Sequence, residues 1–163
     1  MHYCVKCGAR LVTRPNGIDG PVPYCPRCQE FRFPKFSSAI SAIIFNPDKT
    51  KVLLLQQYGQ PQHILLAGYI NPGENAKQAL KREVKEETSL RLTSFSYNDN
   101  AYYQPYEVLM HNYAAVAASE NVRPNSEIDS YAWVPVDQVL ATTMPHSLAE
   151  QFVQEWFKKV KIA

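Results

Sequence analysis

Residues 68–90 read GYINPGENAKQALKREVKEETSL, a turn leading into a short helix. The second half carries Glu83, Glu86 and Glu87, with Arg82 beside the first of them. A charged run of this kind is by default a water-facing helix surface laced with Lys–Glu pairs. The angular positions speak against that default. At about 100° per residue, Ala76, Ala79, Leu80 and Val84 share one side, while Lys77, Gln78, Lys81 and Lys85 take the opposite one. Glu83 and Glu87 project from the apolar side, and Glu86 lies at its edge.

Inward carboxylates without partners are costly, because burying an unpaired charge is strongly unfavourable. Two arrangements relieve the cost. One is an internal ion-pair network around Arg82. The other is a hard divalent cation, Mg²⁺ or Mn²⁺, which takes oxygen ligands from a few carboxylates and from substrate phosphate. One arginine is short of neutralising a cluster at i, i+3 and i+4, which favours the metal. The approach to the helix fits a ligand site. Gly68 and Gly73 bracket a tight loop containing Pro72, and glycine permits positive φ and close backbone approach. Glu74 precedes the helix, and Asn75 is its expected N-cap, with Gln78 three residues on.

These residues resemble the Nudix hydrolase signature: Gly68, Glu74, Arg82-Glu83-Val84, Glu86-Glu87 and Leu90 all stand at its spacing. Ser89 stands where the family has glycine, at the end of the helix. The resemblance implies an α/β/α sandwich with a mixed sheet. It also implies catalysis of pyrophosphate hydrolysis by Glu83, Glu86 and Glu87, with Arg82 orienting Glu83.

The chain has 163 residues, enough for one ordinary domain and a small appendage. A net charge of +2 argues for neither nucleic acid nor membrane. No apolar run approaches the ~20 residues that span a bilayer. The N-terminal residues lack a signal peptide's apolar core, so the expected location is cytoplasmic.

Residues 1–35 are expected to form the appendage and 36–163 the main domain. Cys4 and Cys7, then Cys25 and Cys28, form C-x2-C-x17-C-x2-C, a spacing that fits a zinc ribbon. Two disulfides or redox thiols are the competing readings; the first is disfavoured without a secretory signal. Four thiolates would close a tetrahedral Zn²⁺ site, leaving it structural. Scattered basic and aromatic residues (Arg10, Arg14, Arg27, Arg32, Lys35, Tyr24, Phe31, Phe33) leave RNA contact as a weaker expectation.

Further along, residues 37–45 and 52–57 read as a hairpin, with further strands at 63–67, 92–97, 107–118 and 131–136. A short helix is expected at 136–141. A terminal helix over 147–160 is expected to be capped by Ser147 and Glu150 and to bury Leu148, Phe152, Trp156 and Val160.

A zinc ribbon before a Nudix domain resembles the NADH pyrophosphatase branch of the family. Leu66-Ala67-Gly68-Tyr69 is similar to that branch's entry into the signature, Ser126-Glu127-Ile128 to a segment adding a metal-ligating glutamate, and Ser147-Leu148-Ala149 to a pocket-lining segment. The resemblance implies Glu127 as a fourth metal ligand. Tyr69, Tyr106, Ser147 and Ala149 would be substrate contacts, and the chain a homodimer. The branch's specificity motif is incomplete: Tyr103-Gln104-Pro105-Tyr106 lacks the Trp and the Pro-Phe-Pro. The branch usually carries an additional N-terminal domain, which this chain is expected to lack. The expected substrate is a small-molecule nucleotide, NAD(H) or a related dinucleotide. The alternative is a module that binds a nucleotide or NAD-capped RNA without turnover.

Overall fold

The structure is a computed structural model that describes residues 2–162. The chain divides into two compact units, one ending at Phe36 and the other beginning at Ser37.

The first unit is a small antiparallel sheet of β1 (Val12–Pro15), β2 (Pro21–Cys25) and β3 (Glu30–Phe31), in that order. Its interior is slight: Cys4, Val22 and Cys25 are buried. Tyr24 meets Phe31 edge to face at 5.1 Å, and Arg14 lies 4.0 Å over the Tyr24 ring. The two C-x2-C turns are built alike. The N–H of Gly8 donates to the Cys4 carbonyl and that of Gln29 to the Cys25 carbonyl, each at 2.8 Å. Both turns end in a left-handed residue, Gly8 at φ 72° and Gln29 at φ 57°. Glycine takes that conformation freely, while Gln29 does so at a cost of roughly 1–2 kcal/mol.

The second unit is a sheet between helices. Its strands are β4 (Ser37–Phe45), β5 (Lys51–Gln57), β6 (Leu66–Tyr69), β7 (Leu92–Tyr103), β8 (Val108–Ala117) and β9 (Ile128–Pro135). The order is β7-β8-β4-β5-β9, with β6 also on β4. The apolar, β-branched run of β4 is buried from Ala39 through Phe45, as expected of a central strand. It pairs parallel with β8 from Ser37↔Val108 to Phe45↔Val116. The expected β4–β5 hairpin is paired at only Ile44↔Leu53 and Phe45↔Val52. β5 then turns to β9, and β6 takes the vacated edge of β4, from Ala42↔Leu66 to Ala39↔Tyr69. The strand expected at 63–67 accordingly begins at Leu66.

Helix α1 (Ala76–Thr88) covers one face. Its Ala79, Leu80 and Val84 are buried with Ile40, Leu53, Leu55 and Leu66. Complete burial of a Leu or Val is worth about 1.5–3 kcal/mol. Helices α2 (Val139–Thr142) and α3 (Leu148–Ile162) cover the other face, with Phe152 and Val153 against Ile43, Phe45 and Leu54. The mixed sheet between helices is the expected α/β/α sandwich.

Three local expectations are corrected. β7 continues past Tyr97 to Tyr103, because Asn98 bulges out of the pairing and turns inward. Its Nδ2 donates to Asn112 Oδ1 and to the Phe152 carbonyl, each at 2.9 Å, so a poor strand former is retained by buried hydrogen bonds. On α3, Val160 is 52% exposed, and burial follows Ala149, Phe152 and Val153. An i+4 row advances about 40° per step around a 3.6-residue helix, so a row begun at Leu148 leaves the core by Val160. The Ser147 hydroxyl accepts from Glu150 N–H at 3.1 Å as expected, but the Glu150 carboxylate reaches back to His146 N–H instead.

Candidate active site

The loop and caps hold α1 firmly. Asn75 Oδ1 accepts from the N–H groups of Lys77 and Gln78, while Gln78 Oε1 accepts from Asn75 N–H at 2.9 Å. This capping box is worth about 1 kcal/mol. At the other end Ser89 adopts the left-handed cap at φ 59°, and its N–H reaches the Lys85 carbonyl. The Ser89 hydroxyl donates to the Arg123 carbonyl at 3.2 Å, a bond that glycine could not make.

Gly68 serves the site differently from expectation. It has no positive φ; that conformation belongs to Gly73, at 90°. A Cβ on Gly68 would fall 2.1 Å from Glu83 Cδ. The missing side chain is the space that the Glu83 carboxylate fills.

Arg82 is a hub. Nε and Nη2 grip the two oxygens of Glu74 at 2.7 and 2.8 Å. Nη1 donates to Glu83 Oε1 at 2.7 Å and Glu86 Oε2 at 3.0 Å, and Nη2 also donates to the Tyr69 carbonyl at 3.0 Å. A guanidinium has five N–H groups, and these bonds engage all of them. Arg82 thus orients carboxylates rather than reaching outward. The Arg82 bond and the Asn71 N–H hold Glu74 down to about 2. Sequence reasoning placed Glu74 in the signature but gave it no partner.

Glu87 is only 3% exposed. Burial pushes its carboxyl up to about 8, the charges of Glu83 and Glu127 add to this, and a hydrogen bond from Gln57 opposes it. Burial also raises Glu83, against the pull of Arg82 and with the charges of Glu86 and Glu127. Glu127 therefore lies within electrostatic reach of both. The segment before it is strapped to the end of α1: Arg123 N–H donates to the Thr88 carbonyl and Asn125 N–H to that of Glu87, both at 2.9 Å. Gln57 was missed in the sequence; its signal was a polar residue closing an apolar strand.

This donor set fits a hard divalent cation. Two carboxylates are raised by burial and mutual repulsion, and the neighbouring guanidinium is already fully engaged. Glu86 is exposed and turned toward Arg82, so the four carboxylates are not drawn together around one point.

The cysteines are drawn together. Among the described residues, Cys4, Cys7, Cys25 and Cys28 are the set whose ligand atoms all lie within 4.8 Å of one another. All four are free thiols, which removes the disulfide reading. Cys4 Sγ lies 3.9 Å from Cys28 Sγ, and Cys7 Sγ lies 3.5 Å from Cys25 Sγ. A tetrahedron with metal–sulfur bonds of about 2.3 Å has edges of about 3.8 Å. Burial opposes ionisation of Cys4, but the Arg32 Nε–H bond to its sulfur and nearby backbone N–H groups bring it down to about 6. Hydrogen bonding with Cys7, together with burial, pushes Cys28 up to about 12. One sulfur favoured as thiolate beside another whose ionisation is opposed is a crowding that a cation would relieve.

The remaining expected contacts separate. Tyr69 joins the cluster through its carbonyl, which accepts from Arg82 Nη2, and its ring is exposed. Tyr106 lies in the turn between β7 and β8, stacked on Tyr103 at 5.6 Å. Ser147 caps α3, and Ala149 is buried in the core on the far side of the sheet from α1. The structure does not bring Tyr106, Ser147 or Ala149 into the hydrogen-bonded carboxylate cluster.

A helix carrying inward carboxylates, set by a glycine loop on one face of a mixed sheet, defines a class of protein. The model of the NUDIX domain matches residues 35–155, and the chain belongs to that family. Among its relatives is a protein of Stutzerimonas stutzeri (strain A1501) named NAD-capped RNA hydrolase NudC. It is 24% identical over 153 residues, covering 93% of this chain and 54% of that one. A protein of the same name from Vibrio atlanticus (strain LGP32) is 22% identical over 164 residues, covering 100% of this chain and 60% of that one. The chain thus spans little more than half the length of these relatives. A NUDIX hydrolase from Nitrosomonas europaea superposes with a TM-score of 0.71 at 18% identity, over 100% of this chain and 94% of that one. The NUDIX domain of Shewanella oneidensis NrtR, solved with ADP ribose, gives 0.66 at 18% identity, over 84% and 94%. At these identities the superpositions show the fold alone. Among the described residues no helix is long and apolar enough to cross a membrane.

Proposed function

We propose that the chain is a metal-dependent hydrolase of a nucleoside diphosphate linked to a second moiety, with NAD(H) or a related dinucleotide as substrate. The observation that carries this reading is the carboxylate set around α1: on the helix, Glu87 nearly inaccessible and Glu83 seated on Gly68, and from the segment before β9, Glu127 within electrostatic reach. Glu83, Glu86, Glu87 and Glu127 would hold Mg²⁺ or Mn²⁺. Such an ion supplies positive charge opposite pyrophosphate oxygens and lowers the pKa of a water. A carboxylate of the set accepts the proton of the attacking water. Water adds to one phosphorus, the bridging P–O bond breaks, and two monophosphates leave. The carboxylates titrate as a set, so the proton belongs to the group rather than to one residue. Arg82 keeps Glu83 and Glu86 aligned, and the rings of Tyr69 and Tyr106 are the proposed substrate contacts; Ser147 and Ala149, on the α3 side of the sheet, are left to the packing of that helix. Cys4, Cys7, Cys25 and Cys28 would hold a structural Zn²⁺ within a ribbon spanning residues 1–35.

The names of the relatives favour a dinucleotide at the 5′ end of RNA as a second form of the same substrate. A panel of NADH, NAD⁺, ADP-ribose, diadenosine polyphosphates and NAD-capped RNA, each with Mg²⁺ and with Mn²⁺, tests both. The reading expects two monophosphate products, lost on Glu86→Gln/Glu87→Gln. Binding with no turnover across the panel would leave a reader module instead. Sedimentation of the same sample tests the proposed homodimer.

A further inference from the structure

Gln57 closes β5 where the strand becomes irregular. Leu53 and Leu55 pack in the core on the α1 side, and Gln57 is the next residue on that face. Pairing with β9 runs regularly to Gln56↔Ser130 and then jumps to Gln57↔Ile128, leaving Asp129 unopposed. Such a bulge bends a strand and re-aims side chains. Asp129 is put to use: its Oδ2 accepts from Gly59 N–H at 2.7 Å. Tyr58 and Gly59 both turn left-handed, at φ 59° and 67°, so the chain leaves the sheet directly after Gln57. Gln57 is left 8% exposed, with Nε2 donating to Glu87 Oε2 at 3.3 Å. Packing alone would favour another leucine at this position. A buried amide is retained only where its hydrogen bonding is satisfied.

We propose that Gln57 is a positioning residue, locked by the β5–β9 bulge and the Asp129–Gly59 clamp, whose amide fixes the Glu87 carboxylate within the ligand set. This rests on reading the glutamates as a divalent-cation site. Gln57 does not contact the reacting atoms; it acts through Glu87. Partners of this kind typically change metal affinity by about 10–100-fold when lost.

The test is Mn²⁺ binding, followed by electron paramagnetic resonance of the free ion, for the parent chain, Gln57→Leu, Gln57→Asn and Glu87→Gln. Melting temperature in chelator, and kcat and KM for NADH, are measured alongside. Gln57→Asn keeps an amide but is too short to reach, and it covers the case in which Gln57→Leu does not fold. The expected result is roughly 10-fold weaker Mn²⁺ binding in both Gln57 variants, with a lower kcat and an unchanged KM. If Glu87→Gln weakens binding while the Gln57 variants bind as the parent does, the positioning role is overturned and the cation site stands. A lower melting temperature with unaltered Mn²⁺ affinity has the same meaning. If Glu87→Gln also binds as the parent does, the cation site itself fails.

Discussion

The carboxylate of Glu83 occupies the volume that a side chain on residue 68 would need, with only 2.1 Å between Glu83 Cδ and the position of a Cβ there. Gly68→Ala must therefore displace Glu83 or part β6 from β4. Overpacking of this kind costs about 1–3 kcal/mol. We expect a lower melting temperature and a fall of roughly 100-fold in kcat, on the scale of a misplaced catalytic group. Parent-like kcat in Gly68→Ala would refute this use of the glycine.

Arg82→Lys retains the charge but replaces a five-donor fork by a single ammonium. The two-point grip on Glu74 and the bonds to Glu83, Glu86 and the Tyr69 carbonyl cannot all survive. The expected outcome is a loss of about 1–3 kcal/mol in stability, the scale of a hydrogen bond to a charged group. A drop in kcat with KM little changed should accompany it. Chemical denaturation and steady-state kinetics read the two effects separately. A change in KM alone would place Arg82 on the substrate.

Stability without divalent metal is expected to depend on pH in two windows. Glu87 is raised from 4.5 to about 8 on folding. Its stabilising contribution is complete below pH 4.5 and is lost as pH rises toward 8. Glu74 is lowered from 4.5 to about 2. Its contribution is present above 4.5 and is lost as pH falls toward 2. In chelator the melting temperature should decline from pH 5 to 8, by about 5 °C for about 2 kcal/mol, and Glu87→Gln should flatten that slope. Mn²⁺ should raise the melting temperature more at pH 8 than at pH 5.5. A slope unaltered by Glu87→Gln would assign the dependence to other groups.

Elemental analysis should find about one zinc per chain, the stoichiometry of a closed four-sulfur site. Cys25→Ser, at a fully buried ligand, should abolish it. Amide exchange in residues 2–36 should then rise to that of an unfolded chain, since so small a unit depends on its metal. Full protection in the zinc-free variant would show that the three strands suffice.

Much of this was legible in the residue order. The angular sorting along α1 separated Lys77, Lys81 and Lys85 from Glu83 and Glu87, and the same periodicity governs burial in the folded helix. The paired cysteine spacing foretold the sulfur cluster, because ligand geometry constrains spacing tightly. Gln57 left a local trace as the polar residue closing the Leu53, Leu55 face, but its partner Glu87, the Arg82–Glu74 grip and the inward turn of Asn98 were illegible for one shared reason. Each depends on contacts between strands or segments that are distant or locally irregular, and no local period encodes them. Of the two uses expected of glycine at this loop, Gly68 shows close approach without positive φ, and what approaches it is a side chain of the chain itself. Glycine is known locally for backbone freedom, whereas here a side chain fifteen residues away needs its empty face.

The shared edge of β4 gives the molecule a tolerance rule. Ile40↔Gly68 pairing pins β6 from one side, and Gly59 and Ile64 are tied to Asp129 and Leu55, so only the exposed turn over 60–62 can gain or lose residues without moving the site. Between Leu66 and Asn75 there is no such slack. A single inserted residue would slide Ala67 or Tyr69 beneath Glu83, changing the face that each β6 side chain presents. Natural length variation, and any engineered loop, should therefore collect before His63 and stop there.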